Sequence, residues 1–213
     1  SSEAPGVLRK APGEARPVAV TLRVGDAVGE GVELTAPARM RIELASRHGN
    51  RITLSPGARL SVGAVRDRGE DHALHSGEAS FSIRRALDFY HVSYKRFLAT
   101  VRGTEYRVLA EEGRAVEFAV SSGEVEGERS GKVRVGAGDD QRDADTIREA
   151  ERIAAGGSKR YALDVDDYLR SFDSYVDAER YYREALARAL ASGEEQQIQR
   201  ARYNLGVILA TFS

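Results

Sequence analysis

The chain has 213 residues, of which 41% are hydrophobic and 31% charged. That balance supports a packed core beneath a heavily charged surface and argues against disorder over most of the chain. Lys and Arg number 32 against 33 Asp and Glu, a net charge of −1, so no global field draws nucleic acid or an anionic membrane. With no cysteine there is neither a disulfide framework nor a thiolate metal site, and no apolar run reaches the ~18 residues of a membrane helix.

In chain order, residues 1–16 carry Pro5, Pro12 and several Gly and Ala and read as a flexible lead-in. From Pro17 strand alternation begins: Val18, Val20, Leu22 and Val24 share one parity and so one face. Met40, Ile42 and Leu44 alternate with Arg39, Arg41 and Glu43 in a half-buried strand. His48-Gly49-Asn50 then turns into Ile52 and Leu54, and Ser55-Pro56-Gly57 into Leu60 and Val62. Further short strands are expected over 79–83, 89–94, 98–101, 106–109, 115–120, 124–126 and 132–135. Many short strands separated by glycine turns indicate a sandwich, a barrel or a rolled β-solenoid.

Composition shifts near residue 138. Seventeen of the 21 glycines and all five prolines lie at or before it, whereas six of the nine tyrosines lie after residue 160. The later part is rich in Ala, Glu and Arg, as helices are. The expected organisation is an all-β domain over 17–138, a helical linker over 139–160 capped by Asp139, Asp140 or Asp143, and helical repeats over 161–213. Helices are expected from Tyr161 to Phe172, from Val176 to Ala191 with a stop at Ser192-Gly193, and from Glu194 to the end.

Two stretches carry family resemblances. Leu22-Arg23-Val24-Gly25-Asp26, Gly49-Asn50-Arg51-Ile52-Thr53-Leu54-Ser55-Pro56, Leu74-His75-Ser76-Gly77-Glu78-Ala79-Ser80-Phe81, Val101-Arg102-Gly103-Thr104-Glu105-Tyr106-Arg107-Val108 and Val116 to Val125 occur in one order. Together they resemble the FecR domain over roughly residues 20–126. The resemblance implies a periplasmic module, in some members a sensor that regulates a sigma factor for iron uptake. Further on, Tyr175 to Leu186 is similar to the second helix of a tetratricopeptide repeat (TPR), and Ala201 to Leu209 to the first helix of the next. The earlier first helix would span Ala162 to Leu169, with Val165 in the place of Leu205. Those two residues stand 40 apart in the chain, against about 34 in this repeat.

One and a half repeats leave an apolar face open, to be covered by more repeats, by the β domain or by a second copy in a homo-oligomer. More repeats are the expected cover. The opening Ser1-Ser2-Glu3 fits an exported chain whose signal peptide is gone as well as a trimmed one; the expected location is the periplasm or another exported setting.

No constellation points to catalysis. Gly25, Gly29 and Gly31 do not open a helix, and neither a Gly-x-Ser-x-Gly nor a Walker motif is present. His72 and His75, near Glu70 and Asp71, lack a third metal ligand and read as loop histidines. Asp139, Asp140, Asp143 and Asp145 lack the alternation of a calcium loop and read as helix-capping acids. The reading is therefore a non-enzymatic envelope interaction or scaffold protein with no metal and no cofactor. Its partner is a protein or peptide; a signalling domain of the FecR type and a cell-wall polysaccharide binder are the alternatives. Candidate partner residues are Tyr168, Arg200, Tyr203 and Asn204, as the groove of the repeat resemblance implies, with Arg39, Arg41 and Arg51 forming an exposed basic face.

Overall fold

The computed structural model describes residues 7–84, 89–101, 103–136, 141–163, 168–172 and 174–212. Among them lie fifteen strands and two helices. The chain divides into two compact units, one of residues 1–127 with 152–163, the other of residues 128–151 with 164–213.

In the first unit, strands β1 (Val7–Lys10), β2 (Val18–Val20), β3 (Glu33–Thr35), β6 (Arg59–Arg66), β7 (Gly69–Ser82), β8 (Phe89–Tyr94) and β9 (Phe97–Val101) join in the order β2-β1-β3-β6-β7-β8-β9. A second sheet runs β4-β5-β7-β10-β11-β14, from β4 (Ile42–Ala45), β5 (Arg51–Leu54), β10 (Glu105–Glu111), β11 (Ala115–Ser122) and β14 (Ser158–Ala162). Strand β7 belongs to both. Its residues 69–76 pair with β6 and β8, and its residues 77–82 with β5 and β10. The handover falls at Gly77, whose φ is +81° and where a Cβ would stand 2.7 Å from the Cα of Ala58; only glycine has both the backbone angle and the room.

Alternation along each strand sends one set of residues into a common core. Leu60, Leu74, Tyr90, Val92 and Phe97 enter from one sheet, and Leu54, Phe81, Val108 and Phe118 from the other. The arrangement is that of a sandwich with a shared strand. Gly103 takes φ +62°, and the following Thr104 is buried with its hydroxyl donating to the carbonyl of Glu124 at 2.9 Å. The Gly-Thr step is thus structural, as a strand junction demands.

The second unit holds the end of β12 (Glu124–Val135), most of β13 (Arg142–Ala154), β15 (Tyr168–Phe172), α1 (Tyr175–Ser192) and α2 (Glu195–Phe212). β15 runs parallel to β12, with Lys132 opposite Tyr168 and Val135 opposite Phe172. Ser174 caps α1 by accepting from the Asp177 N–H, and Gly193 ends it in the left-handed conformation. Ala178 and Tyr182 of α1 pack with Leu205, Ile208 and Phe212 of α2 around Val133 and Val135.

Four expectations need correction. Val7–Lys10, inside the supposed flexible lead, is a strand paired with both β2 and β3. Residues 142–154, expected to be a helical linker, form β13, and residues 158–162 form β14. Asp143 and Asp145 therefore sit on a strand and cap no helix, while Asp139 and Asp140 fall outside the described residues. The helix expected from Tyr161 to Phe172, which supplied the first helix of a repeat, is replaced by β14 and β15. What remains of the repeat pattern is two helices of 18 residues each.

Candidate functional site

The outer face of the second sheet of the β unit carries a lane of small side chains. Glu43, Thr53, Ser80, Arg107, Ala119 and Ser158 are successive neighbours across its six strands. One pleat along, Arg51, Ser82 and Glu105 form a second such row. Small residues interspersed with long charged ones, Glu43 on the edge strand and Arg107 mid-sheet, make a shallow concavity of about 720 Å³ lined by all nine. The charges of this face are balanced across strands: Arg51 lies 3.8 Å from Glu43, and Arg107 3.3 Å from Glu78. Farther along the face Arg160 makes a two-pronged pair with Glu111, at 2.6 and 2.7 Å, whose hydrogen bonding holds the Glu111 carboxyl below the usual range. The face offers hydroxyls, carboxylates and guanidinium groups, and recognition by hydrogen bonds and ion pairs is the chemistry these groups perform.

The expected basic face divides. Arg51 lines this concavity. Arg39 and Arg41 are exposed but precede β4, at the end of the β4–β5 hairpin where Ile42 meets Leu54, whereas Arg51 stands opposite Ala45 at the other end. The three arginines do not converge.

In the second unit the helical candidates meet a different fate. Asn204 is buried on α2, and its side-chain amide is already engaged. Its Nδ2 donates to the Ile147 carbonyl and its Oδ1 accepts the Ile147 N–H, each at 2.7 Å. One turn earlier Arg200 donates to the carbonyl of Arg148 at 3.3 Å. The amide does grip extended backbone, but the backbone is β13 of this same chain. Such a contact caps the open edge of a strand, which otherwise invites foreign pairing. Tyr203 is exposed; the side chain of Tyr168 lies outside the described residues.

Within the β unit lies a buried polar cluster that the alternation did not reveal. Glu70 is fully buried on β7 and accepts from Ser46 Oγ at 2.7 Å, Asn50 Nδ2 at 3.0 Å and His72 Nε2 at 3.3 Å. Burial pushes its pKa up, but the hydrogen bonds from His72, Ser46 and Asn50 outweigh that, and the carboxyl is held below its ordinary value. His72 and His75 both lie on β7 rather than in a loop; His72 is buried, while His75 is partly exposed and bonds Ser61 at 2.7 Å, so the two histidines do not share a site. The signal available in sequence was Glu70, His72 and Leu74 at one parity, a polar pair on the apolar side of a strand. The hydroxyl lane was legible only as the opposite parity of β5, β7 and β11.

Residues 32–126 match the family model described as FecR protein. These residues contain β4, β5, β7, β10 and β11, five of the six strands of the concave face. Two crystal structures of a candidate anti-sigma factor from Parabacteroides distasonis ATCC 8503, at 2.50 and 1.65 Å, are similar at 13% identity and TM-score 0.42, each matched over 63% of this chain and 60% of its own length. No curated protein matches. Among the described residues no helix is long and apolar enough to cross a membrane.

Proposed function

We propose that the β unit is a regulatory domain of the FecR type, working in the periplasm without chemistry of its own, and that it signals by docking a partner protein on the concave outer face of β4-β5-β7-β10-β11-β14. The match over residues 32–126 carries the regulatory reading. The balance of Arg51 and Arg107 against Glu43 and Glu105 along a hydroxyl lane suits a partner surface of alternating charge. The paired state of Asn204 favours this face over the helical groove as the docking surface. Cell-wall polysaccharide is the competing ligand for the same lane, because Thr53, Ser80, Ser82 and Ser158 present hydroxyls to it.

The test is Arg51→Glu combined with Arg107→Glu in the native host, with folding checked by circular dichroism. Both arginines are exposed and the double variant is expected to fold. Loss of the co-purifying protein partner, with binding to purified cell wall unchanged, is the expected result. Loss of wall binding with the protein partner retained would move the reading to the polysaccharide, and unchanged behaviour in both assays would remove this face from the function.

A further inference from the structure

Three polar atoms in the core of the β unit lack a protein partner among the described residues: His72 Nδ1, Tyr90 Oη and Tyr106 Oη. All three side chains are more than nine-tenths buried, at 5%, 0% and 2% exposure. Their rings belong to one aromatic cluster. The His72 and Tyr90 rings lie 5.5 Å apart, and Phe81 stands against both Tyr90, at 6.3 Å, and Tyr106, at 4.9 Å. Burial raises both phenol pKa values, and each is raised further by a neighbour, Tyr90 by the charge of Glu70 and Tyr106 by Tyr90. One stranded polar atom in a core is a tolerable cost; three together at the centre of a sandwich are an arrangement that proteins resolve with a guest.

We propose that this cluster is an internal binding site for one ordered water molecule, held by His72, Tyr90 and Tyr106. The hydrogen count closes. In the tautomer that donates Nε2–H to Glu70, the Nδ1 of His72 is an acceptor. Each tyrosine brings one donor and one acceptor. A water donating to Nδ1 and to one phenol oxygen, and accepting one phenol proton or both, makes three or four hydrogen bonds, the number typical of a buried water. An anion is disfavoured beside the Glu70 carboxylate. A cation lacks a free carboxylate here, since Glu70 is already held by Ser46 and Asn50. A neutral molecule of water size is the chemistry that fits.

The experiment has two arms. On the wild-type protein, magnetisation transfer from bound water is measured by NMR. Cross-peaks to His72, Tyr90 or Tyr106 of the sign that marks a long-lived water are expected; their absence overturns the proposal. In parallel, Tyr90→Phe and Tyr106→Phe are compared with wild type by urea denaturation. If the hydroxyls bind water, each variant loses about fivefold in its folding equilibrium constant, as for a net hydrogen bond lost. If the hydroxyls are dry and stranded, their removal leaves the protein equally or more stable, and the proposal fails. Should either variant fail to fold, the wild-type measurement decides.

Discussion

Both units fasten backbone with buried neutral side chains, Thr104 in the β unit and Thr146 and Asn204 in the helical unit, but among the described residues only the β unit also buries a carboxylate and an imidazole. The β unit places a carboxylate and an imidazole, Glu70 and His72, at the centre of its core and surrounds the carboxylate with donors. The helical unit buries Thr146 and Asn204, neither of which titrates, and aims both at main chain: Thr146 donates to Gly131 O, and Asn204 bonds Ile147. The Glu70 carboxylate makes one core sensitive to pH and to any change in its shell. Neutral amide and hydroxyl groups serve the other as fasteners for strand backbone.

The sharpest break of this contrast is Glu70→Ala. It leaves the buried Asn50 and His72 and the partly buried Ser46 with donors and no acceptor, a loss comparable to breaking a buried ion pair, about 3–5 kcal/mol. Urea denaturation followed through Tyr90 and Tyr94 reads it; a change under 1 kcal/mol, on the scale of surface substitutions, would mean the network is not closed. Next in size is Asn204→Ala. It strands the Ile147 N–H and carbonyl together and is expected to cost about 2 kcal/mol. Faster hydrogen exchange at Ile147, with exchange in β7 unchanged, would assign that loss to the helical unit.

A smaller effect separates the units by pH. The folded-state pKa of Glu70 is depressed. Its stabilisation is therefore complete above the unfolded glutamate value of about 4.3 and is lost as pH falls through the lower folded value. Acid should loosen β7 before it loosens α2, because Asn204 and Thr146 do not titrate and the exposed Glu179–Arg183 pair is screened by solvent. Exchange measured at neutral pH and again below pH 4 reads the order, and Glu70→Gln should abolish it. The smallest effect is Ser174→Ala, which removes the cap of α1 and costs about 1 kcal/mol, visible as fraying of the first turn in helical circular dichroism.

Legibility in the sequence followed the size of the buried side chains. Ile52, Leu54, Leu60, Val62, Phe81, Val108 and Phe118 fall at regular parity and announce their strands, and all are buried. The stops at Ser192-Gly193 and the cap of α1 are read from the residue types that favour those geometries. β13 was hidden because its inward residues between Arg142 and Glu151 are Ala144 and Thr146, too small to show a period of two, while its Asp, Glu, Arg and Ala content favours a helix on propensity. β1 was hidden by the Pro and Gly around it, although Val7 reaches the core. The concave face was only half visible: Arg51 could be named, but the serines beside it acquire meaning from register, which pairs Ser80 with Thr53 and Arg107 across three strands. Asn204 was legible as a groove residue for a partner peptide, but its amide bonds Ile147 of this same chain, a pairing between positions 57 apart that no sequence pattern announces.

Partner docking on the concave sheet is tested most directly by placing a photo-crosslinking amino acid at Ser80, in the lane, and separately at Leu98, on an outward position of β9, in cells of the native host. The expected result is one discrete protein adduct at Ser80 that disappears when Arg51 and Arg107 are reversed to Glu, with none at Leu98. Equal labelling at both positions, or an adduct at Ser80 indifferent to the charge reversal, would contradict it.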